Sequence, residues 1–589
     1  KTLVDERSLL KPVKRTLIHA RGCTAAKLIQ VAQREGIEVV LVQSDPDMDS
    51  AVAGQLTGKD TLVCIGGNSP DESYLNAKSV LRIAEQEKVD SLHPGIGFLS
   101  ENADFALLCR NRGINFVGPW VSSMELMGNK SNAIETATRA GVPVVPGSHG
   151  IIGSAETGME VAETIGYPVL LKAVHGGGGK GIKVVEKPED FRESFYTISS
   201  EARAAFGSGD MYLEKYVTNL RHIEAQVLRD SGGNCTILGL RDCSVQRNNQ
   251  KIFEESGSTM LPENLERDVY RYAELIANQV DYLGAGTVEF IFDLDNNAIY
   301  FMEMNTRLQV EHPVTEKVTG VDIVANQFKI AGGGSISGLT SNPQGYAIEA
   351  RITAERTAVE GSAIRFIPTP GDVTAFSIPE AEHITVIRMV EAGKPITPYY
   401  DSLIAQVIVL GENRDDAADK LLAALEGTEI KGVHTNIPLL KRVLKDETFR
   451  RGVYNTQYLN GLLDRIDVQE MIAEGDAASD TVQVTLDRSA VEIEGSRELK
   501  VISPSTGVFY DASSPSEPLF APVGKTLRTG DTIGLLEAMK LFSTLSLKNC
   551  SPGGSFYDPE KEYEVVRVIP TPGQAVNKGD LLFVIKEAA

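Results

Sequence analysis

Cysteine is scarce and scattered in this chain. Its six residues, Cys23, Cys64, Cys109, Cys235, Cys243 and Cys550, form no C-x-x-C pair, which disfavours a structural zinc site or a disulfide framework and fits a reducing compartment. An excess of positive charge is missing too. With 58 Lys and Arg against 80 Asp and Glu, the net charge is -22, so nothing broadly basic is available to neutralise a nucleic-acid backbone. No stretch approaches the roughly 20 apolar residues that span a bilayer. The charged opening KTLVDERSLLKPVKR lacks the apolar core of a signal peptide. These absences predict a cytoplasmic protein that neither binds nucleic acid nor inserts into a membrane. Because the first residue is Lys1, an organellar matrix or stroma, reached after loss of a leader, is also compatible.

The 589 residues, 42% hydrophobic and 23% charged, call for several domains of ordinary globular composition. From residue 15, short apolar runs (TLIHA, EVVLVQS, TLVCIGG, NFVGP) alternate with amphipathic ones (AAKLIQVAQREG, SVLRIAEQEKV), the pattern of a parallel α/β sheet over 1–128. A second region, 129–334, holds the glycine-rich KAVHGGGGKGIKVV and strand-like runs that end in acidic clusters. A third, 335–465, begins with the alternating YAIEARITAE and ends in the helix-like DAADKLLAALEG and IPLLKRVLKDE. The weakly periodic DVQEMIAEGDAASD opens a predicted linker over 466–500, which also contains the strand-like VQVTLDRSAVEIEG. Only short strands and turns follow, over 501–589. There KTLRTGDTIGLLEA is echoed by QAVNKGDLLFVIKEA, predicting a small quasi-symmetric β module.

Two features carry chemistry. TVEFIF and FMEMNTRLQVEHPVTE place Glu289 and Glu303 at the ends of strands, with Asn305 two positions on; such hard oxygen donors suit Mg²⁺ (or Mn²⁺). Alternation puts Glu303, Asn305 and Arg307 on one face, continued by Gln309 and Glu311. Five polar side chains on one face are ruinous in a closed core, so they must line a polar site. The run from Gly176 to Gly179 can fold over phosphates, but alone it is a weak signal and equally an ordinary mobile loop. The second feature is LLEAMKLFSTL, which sets Lys540 at the tip of a predicted hairpin.

Glu537-Ala538-Met539-Lys540 resembles the biotinylation motif of biotin carboxyl carrier domains, and HPGIGFLSEN, MGNK, the glycine loop, EKY, RDCSVQR and EMNTRLQVEHPVTE together resemble biotin carboxylase. The resemblance implies an α/β multidomain fold: a Rossmann-like N-terminal domain, an ATP-grasp domain with a lid over about 144–216, a C-terminal α+β domain, and an all-β, lipoyl-like biotinyl carrier domain. It implies that Lys130 and Lys172 contact ATP phosphates beneath Gly176, Gly177, Gly178 and Gly179. Glu214, Lys215 and Val217 would receive adenine, with His222 and Gln246 lining the nucleotide site. Glu289, Glu303 and Asn305 would bind the metal. Lys251, Arg307, Gln309 and Val310 would hold bicarbonate, the substrate, and Glu311 would be its general base. The implied product, carboxyphosphate, yields CO₂ for covalent biotin on Lys540.

Departures from the family pattern include two on the biotin side, Ile96 and Thr385: Ile96 stands where a tyrosine is usual, and elsewhere Asn249 stands where a histidine is usual. The arginine expected to stabilise the biotin enolate falls at Thr385, with Arg388 the nearest substitute. RGCTA replaces RGEIA, Gln406 replaces a lysine, and KNCSPGGSFYDPEKE is longer than a plain carrier needs. The resemblance implies a biotin carboxylase and carrier subunit of an acyl-CoA, foremost acetyl-CoA, carboxylase in fatty acid biosynthesis. Its implied partners are separate carboxyltransferase subunits, a biotin protein ligase and a second copy of the carboxylase domains. A catalytically impaired, biotinylated scaffold is the alternative, and a carbamoyl-phosphate or purine-pathway ligase leaves Lys540 unemployed.

Overall fold

The computed structural model describes residues 5–148, 150–174, 182–206, 208–480, 493, 498–514, 517–550 and 557–588. The predicted α/β alternation forms a five-stranded parallel sheet, ordered β3 (Thr61–Cys64), β2 (Glu38–Gln43), β1 (Arg15–Ile18), β4 (Ser91–His93) and β5 (Asn115–Phe116). Leu17, Val40, Val42 and Leu92 are fully buried, as strands covered on both faces must be. The helix Gly22–Arg34 follows β1 and buries Ala25, Leu28, Ile29 and Ala32 at helical spacing.

A compact unit of three antiparallel strands, β7 (Ile182–Val185), β6 (Val169–Ala173) and β8 (Met211–Lys215), carries the helices Ala155–Ile165 and Pro188–Phe206. It has its own apolar core, including Val169, Leu171, Phe191, Met211 and Leu213. A unit with a private core can move as a body, which a lid requires.

The centre is one eight-stranded antiparallel sheet. Its order is β13 (Ala298–Asn305), β12 (Gly284–Asp293), β9 (Leu220–Arg229), β10 (Cys235–Arg247), β11 (Gln250–Glu255), β14 (Tyr346–Thr353), β21 (Leu403–Gly411) and β19 (Ile384–Arg388). Pairing of β11 with β14 carries the ladder across the boundary expected at 334/335. Shorter strands complete this half: β15 (Glu355–Glu360) with β16 (Ala363–Pro368), β17 (Gly371–Asp372) with β20 (Pro395–Ile396), and β18 (Ala375–Ser377) with β22 (Glu429–Lys431).

The start of the predicted linker is instead a helix, Val468–Ser479, capped by Asp467. Its apolar period is weak because it has one main anchor, Met471, which is 1% exposed. Side-chain pairs fix the rest: Arg442 holds Glu474 at 2.7 Å and His434 meets Asp476 at 2.9 Å. These partners are distant in sequence and invisible to periodicity. The strand-like VQVTLDRSAVEIEG falls largely outside the described residues.

The last region forms two four-stranded sheets, β23 (Glu498–Ile502), β30 (Leu581–Glu587), β28 (Tyr563–Val568), β25 (Thr526–Leu527), and β27 (Leu541–Leu545), β26 (Gly534–Ala538), β24 (Gly507–Tyr510), β29 (Gln574–Val576). Each half of the sequence echo supplies one strand to each sheet, β25 with β26 and β29 with β30. Phe509, Leu536, Val565 and Phe583 fill the space between them. The long insertion is anchored at its described ends by buried Cys550 and Tyr557, whose hydroxyl donates to the Lys500 carbonyl at 2.7 Å.

Candidate active site

Register builds the centre of the site. Glu289 on β12 lies directly opposite Glu303 on β13, so two carboxylates share one edge of a cavity of about 820 Å³. Burial alone would raise Glu289, but the charges of His222 and Lys251 outweigh it and hold its pKa down to about 2. Its neighbour is pushed the other way: burial and the Glu289 charge raise Glu303, against the pull of Lys130. A divalent cation beside this pair would relieve the raised Glu303, and both carboxylates are hard oxygen donors suited to one. Asn305 and Gln309 donate to Glu289 Oε1 at 2.8 and 2.9 Å, and His222 Nε2 meets Glu289 Oε2 at 2.8 Å. Ligand atoms of His222, Glu224 and Glu289 also converge within 4.8 Å. Glu224, however, is fully buried, bound to Arg241 at 2.5 Å and Lys251 at 2.8 Å, and does not line the cavity, whereas Glu289 and Glu303 do and are the hard donors that face it.

Glu311 immediately precedes the helix His312–Thr319 and is 1% exposed. It accepts from Lys251 at 2.5 Å and from Arg351 at 3.0 Å. Burial would raise its pKa, yet Lys251, Arg351 and Arg241 together hold the carboxyl well below the usual carboxylate range. Arg307 is splayed in the plane of the predicted polar face, donating to Glu101 at 2.9 Å, Gln309 at 3.0 Å and Asn305 at 3.2 Å.

Of the residues singled out in the sequence, Lys130, His222, Gln246, Lys251, Glu289, Glu303, Asn305, Arg307, Gln309, Val310 and Glu311 all line this one cavity. Lys172, Glu214, Lys215 and Val217 do not. Lys172 and Glu214 pair with each other on β6 and β8, and Lys215 Nζ donates to the carbonyls of Gly166 and Tyr167 at 2.8 and 3.0 Å. Gly176 to Gly179 lie outside the described residues. Ile96 and Asn249 are on the lining.

Neither Thr385 nor Arg388 lines the cavity. Thr385 accepts from Lys317 at 3.0 Å, and Arg388, exposed on β19, stands 5.3 Å over the Phe376 ring. The cation absent from the sequence-predicted set is Arg351, on β14, which lines the cavity and donates to Glu311. Its signal was the arginine of YAIEARITAE, whose place in the site depends on the long-range β11–β14 pairing.

Lys540 sits on a hairpin that touches the main body at Pro398. Met539 and Lys540 form the β26–β27 turn with φ of 52° and 66°, the left-handed region a tight hairpin demands. Met539 N–H donates to the Pro398 carbonyl at 2.7 Å, and its side chain, 4% exposed, joins the apolar core of the main body. Three residues after Pro398, the segment Asp401 to Leu403 lines the cavity. The hairpin tip therefore seats on the strand connection that forms the cavity rim, and Lys540 beside it is exposed.

Comparison with known proteins gives three family models in order along the chain: biotin carboxylase N-terminal domain over 12–124, carbamoyl-phosphate synthase L chain ATP-binding domain over 129–339, and biotin carboxylase C-terminal domain over 349–461. Biotin carboxylase 1 of Bacillus subtilis is 43% identical over 449 residues, covering 76% of this chain and 98% of that protein. The biotin carboxylase domain dimer of Hydrogenobacter thermophilus 2-oxoglutarate carboxylase, solved with MgADP, ADP and bicarbonate, superposes with a TM-score of 0.70 at 41% identity. It covers 78% of this chain and 100% of that one. A single-chain, multi-domain long-chain acyl-CoA carboxylase matches 98% of this chain and 51% of its own length, at 30% identity and a TM-score of 0.66.

Proposed function

Since the chain belongs to the biotin carboxylase family of ATP-dependent ligases, we propose that it loads CO₂ from bicarbonate onto a biotin carried by its own Lys540, as the carboxylase and carrier subunit of an acyl-CoA carboxylase. The observation that carries the tethered reading is the contact of Met539 with Pro398, which seats the lysine-bearing hairpin on the segment that runs into the cavity wall at Asp401 to Leu403. The match to a multi-domain acyl-CoA carboxylase over nearly the whole chain supports it.

The residues divide the work. Lys251 and Arg307 offer positive charge to bicarbonate, and Glu311 takes its proton so that it can attack the terminal phosphate of ATP. In the ligand-free arrangement Glu311 is weakly basic because Lys251 and Arg351 bind it. An anionic substrate competes for those cations and thereby frees the base when it is needed. Glu289 and Glu303, with Asn305, would hold Mg²⁺, which when bound neutralises phosphate charge. Lys130, at the cavity wall and within electrostatic reach of Glu303, adds positive charge. Biotin, when present, would supply a ureido nitrogen that takes up the CO₂ while its N–H proton leaves with the phosphate released from carboxyphosphate; Arg351, which touches Glu311, would stabilise negative charge developing there. Carboxyphosphate is lost to water, so the three-stranded unit, bearing Lys172, Glu214, Lys215 and Val217, closes over the nucleotide.

Transfer to the acyl-CoA, acetyl-CoA being the first to assay, falls to a carboxyltransferase, and a biotin protein ligase modifies Lys540. Pairing of two carboxylase domains is supported by the dimeric relative. Ile96 and Asn249 on the cavity wall favour a second reading, a biotinylated but catalytically weak scaffold subunit. The discriminating experiment is bicarbonate-dependent ATP cleavage with and without free biotin, combined with a mass measurement of biotin on Lys540. Turnover supports the enzyme; bound nucleotide and biotin without turnover supports the scaffold.

A further inference from the structure

Behind Glu311 lie two glutamates that the reaction does not use. Glu254 on β11 and Glu349 on β14 are fully buried and directly opposite each other in the antiparallel ladder, a relation that brings side chains to within about 5 Å at Cβ. Glu254 is paired with Arg351 at 2.5 Å, and the same guanidinium nitrogen reaches Glu311 at 3.0 Å. Glu349 Oε1 accepts from Gln406 Nε2 at 2.6 Å, and that amide also donates to the carbonyl of Val310 at 2.9 Å. The other oxygen, Glu349 Oε2, is buried and has no hydrogen-bond partner among the described residues.

The charges around the pair do not balance. From β14 it faces Arg351, from the turn before the helix Glu311, and from the start of β11 Lys251. Among the described residues, the helix Gly22–Arg34 brings the neutral thiol of Cys23, β10 the neutral thiol of Cys243, and β21 the neutral amide of Gln406. Lys251 is already shared among Glu224, Glu289 and Glu311, so the two glutamates have a part of one guanidinium between them. Two carboxylates this close in a sealed site do not both ionise.

We propose that Glu254 and Glu349 share one proton at the working pH, and that this singly charged pair is a positioning device that leaves Arg351 free to face Glu311 and the cavity. The inference rests on the reading of Glu311 as the base. Burial raises Glu254 to about 7 against the pull of Arg351, and burial with the Glu254 charge raises Glu349 well above the usual range. The sign follows. At lower pH the pair keeps its proton and Arg351 bridges Glu254 to Glu311. As pH rises through the titration of the pair, a second negative charge appears beside Arg351, draws it back from the cavity, and turnover falls.

The test uses the full biotinylated chain. Infrared difference spectra between neutral and alkaline pH should show a protonated carboxyl band that vanishes in Glu349→Gln and in Gln406→Lys, where a new cation expels the proton. In parallel, the alkaline limb of kcat/KM for free biotin should move up by about one pH unit in Glu349→Gln, the acid limb staying in place. An absent band, a band that survives both substitutions, or an unmoved limb overturns the proposal. If Glu349→Gln does not fold, Gln406→Lys decides through the band alone. The infrared readout needs no turnover, so it stands apart from the test of Glu311 as base, in which Glu311→Gln is scored for ATP cleavage.

Discussion

Replacing Arg351 by methionine removes a guanidinium that lies 2.5 Å from Glu254 and 3.0 Å from Glu311. Two effects of different kind follow, and the structure assigns each a size. In the reaction, a preorganised cation aimed at developing charge is lost, and the loss of one such donor costs about 10²–10³ in rate. In the fold, removing one member of a buried ion pair typically costs about 3–5 kcal/mol, but Glu254 can take up a proton, which places the expected loss at the low end of that range. The assay is free-biotin-dependent ATP cleavage, resolved into kcat and KM, alongside urea unfolding of the same sample. The control is Arg388→Ala. Arg388 is exposed and its described ring contact is with Phe376, away from the cavity, so this variant should stay within about threefold of the parent. A result in which Arg388→Ala is crippled while Arg351→Met retains near-parental kcat/KM would refute the placement of the catalytic arginine on β14.

Other outcomes can be read with equal directness. Glu303→Gln should raise the Mg²⁺ concentration for half-maximal activity by about 10–100-fold, measured by metal titration at fixed ATP. Lys540→Arg should abolish incorporation of covalent biotin, seen by intact mass, while free biotin is still turned over. The Met539 amide, bonded to the Pro398 carbonyl at 2.7 Å, should exchange more slowly than the amide of exposed Lys540. Glu289 is held at about 2 from an ordinary value of 4.5, so it contributes stability that is full above the ordinary value and is lost as pH falls towards 2. Acid unfolding of Glu289→Gln should therefore be flatter over that window, measured by circular dichroism.

Much of the site was legible because strand alternation and register are local properties. Glu303 and Asn305 share a face of β13 as their spacing predicts, Glu289 joins them through a single neighbouring strand, and Arg307 and Gln309 reach the same cavity although the strand ends at Asn305. The echo in the last 90 or so residues likewise maps onto the two sheets, each half giving one strand to each. What was missed depends on contacts far apart in sequence. Arg351 becomes part of the site only because β14 pairs with β11, and Arg388 leaves it because β19 is the outermost strand, beyond β21. The helix Val468–Ser479 was read as linker since its stabilising partners, Arg442, Lys441 and His434, lie about thirty to forty residues away. The seating of Met539 on Pro398 is a relation between domains that no periodicity encodes.

The proposed reaction, carboxylation of biotin with ATP and bicarbonate, is assigned to the cavity that Glu311 lines. The most direct test is ATP cleavage by the purified chain, with bicarbonate present or rigorously removed, with and without free biotin, and with Glu311→Gln in parallel. The account predicts cleavage that requires bicarbonate, rises with biotin and is lost in Glu311→Gln. Cleavage that is indifferent to bicarbonate, or that persists in Glu311→Gln, would contradict it.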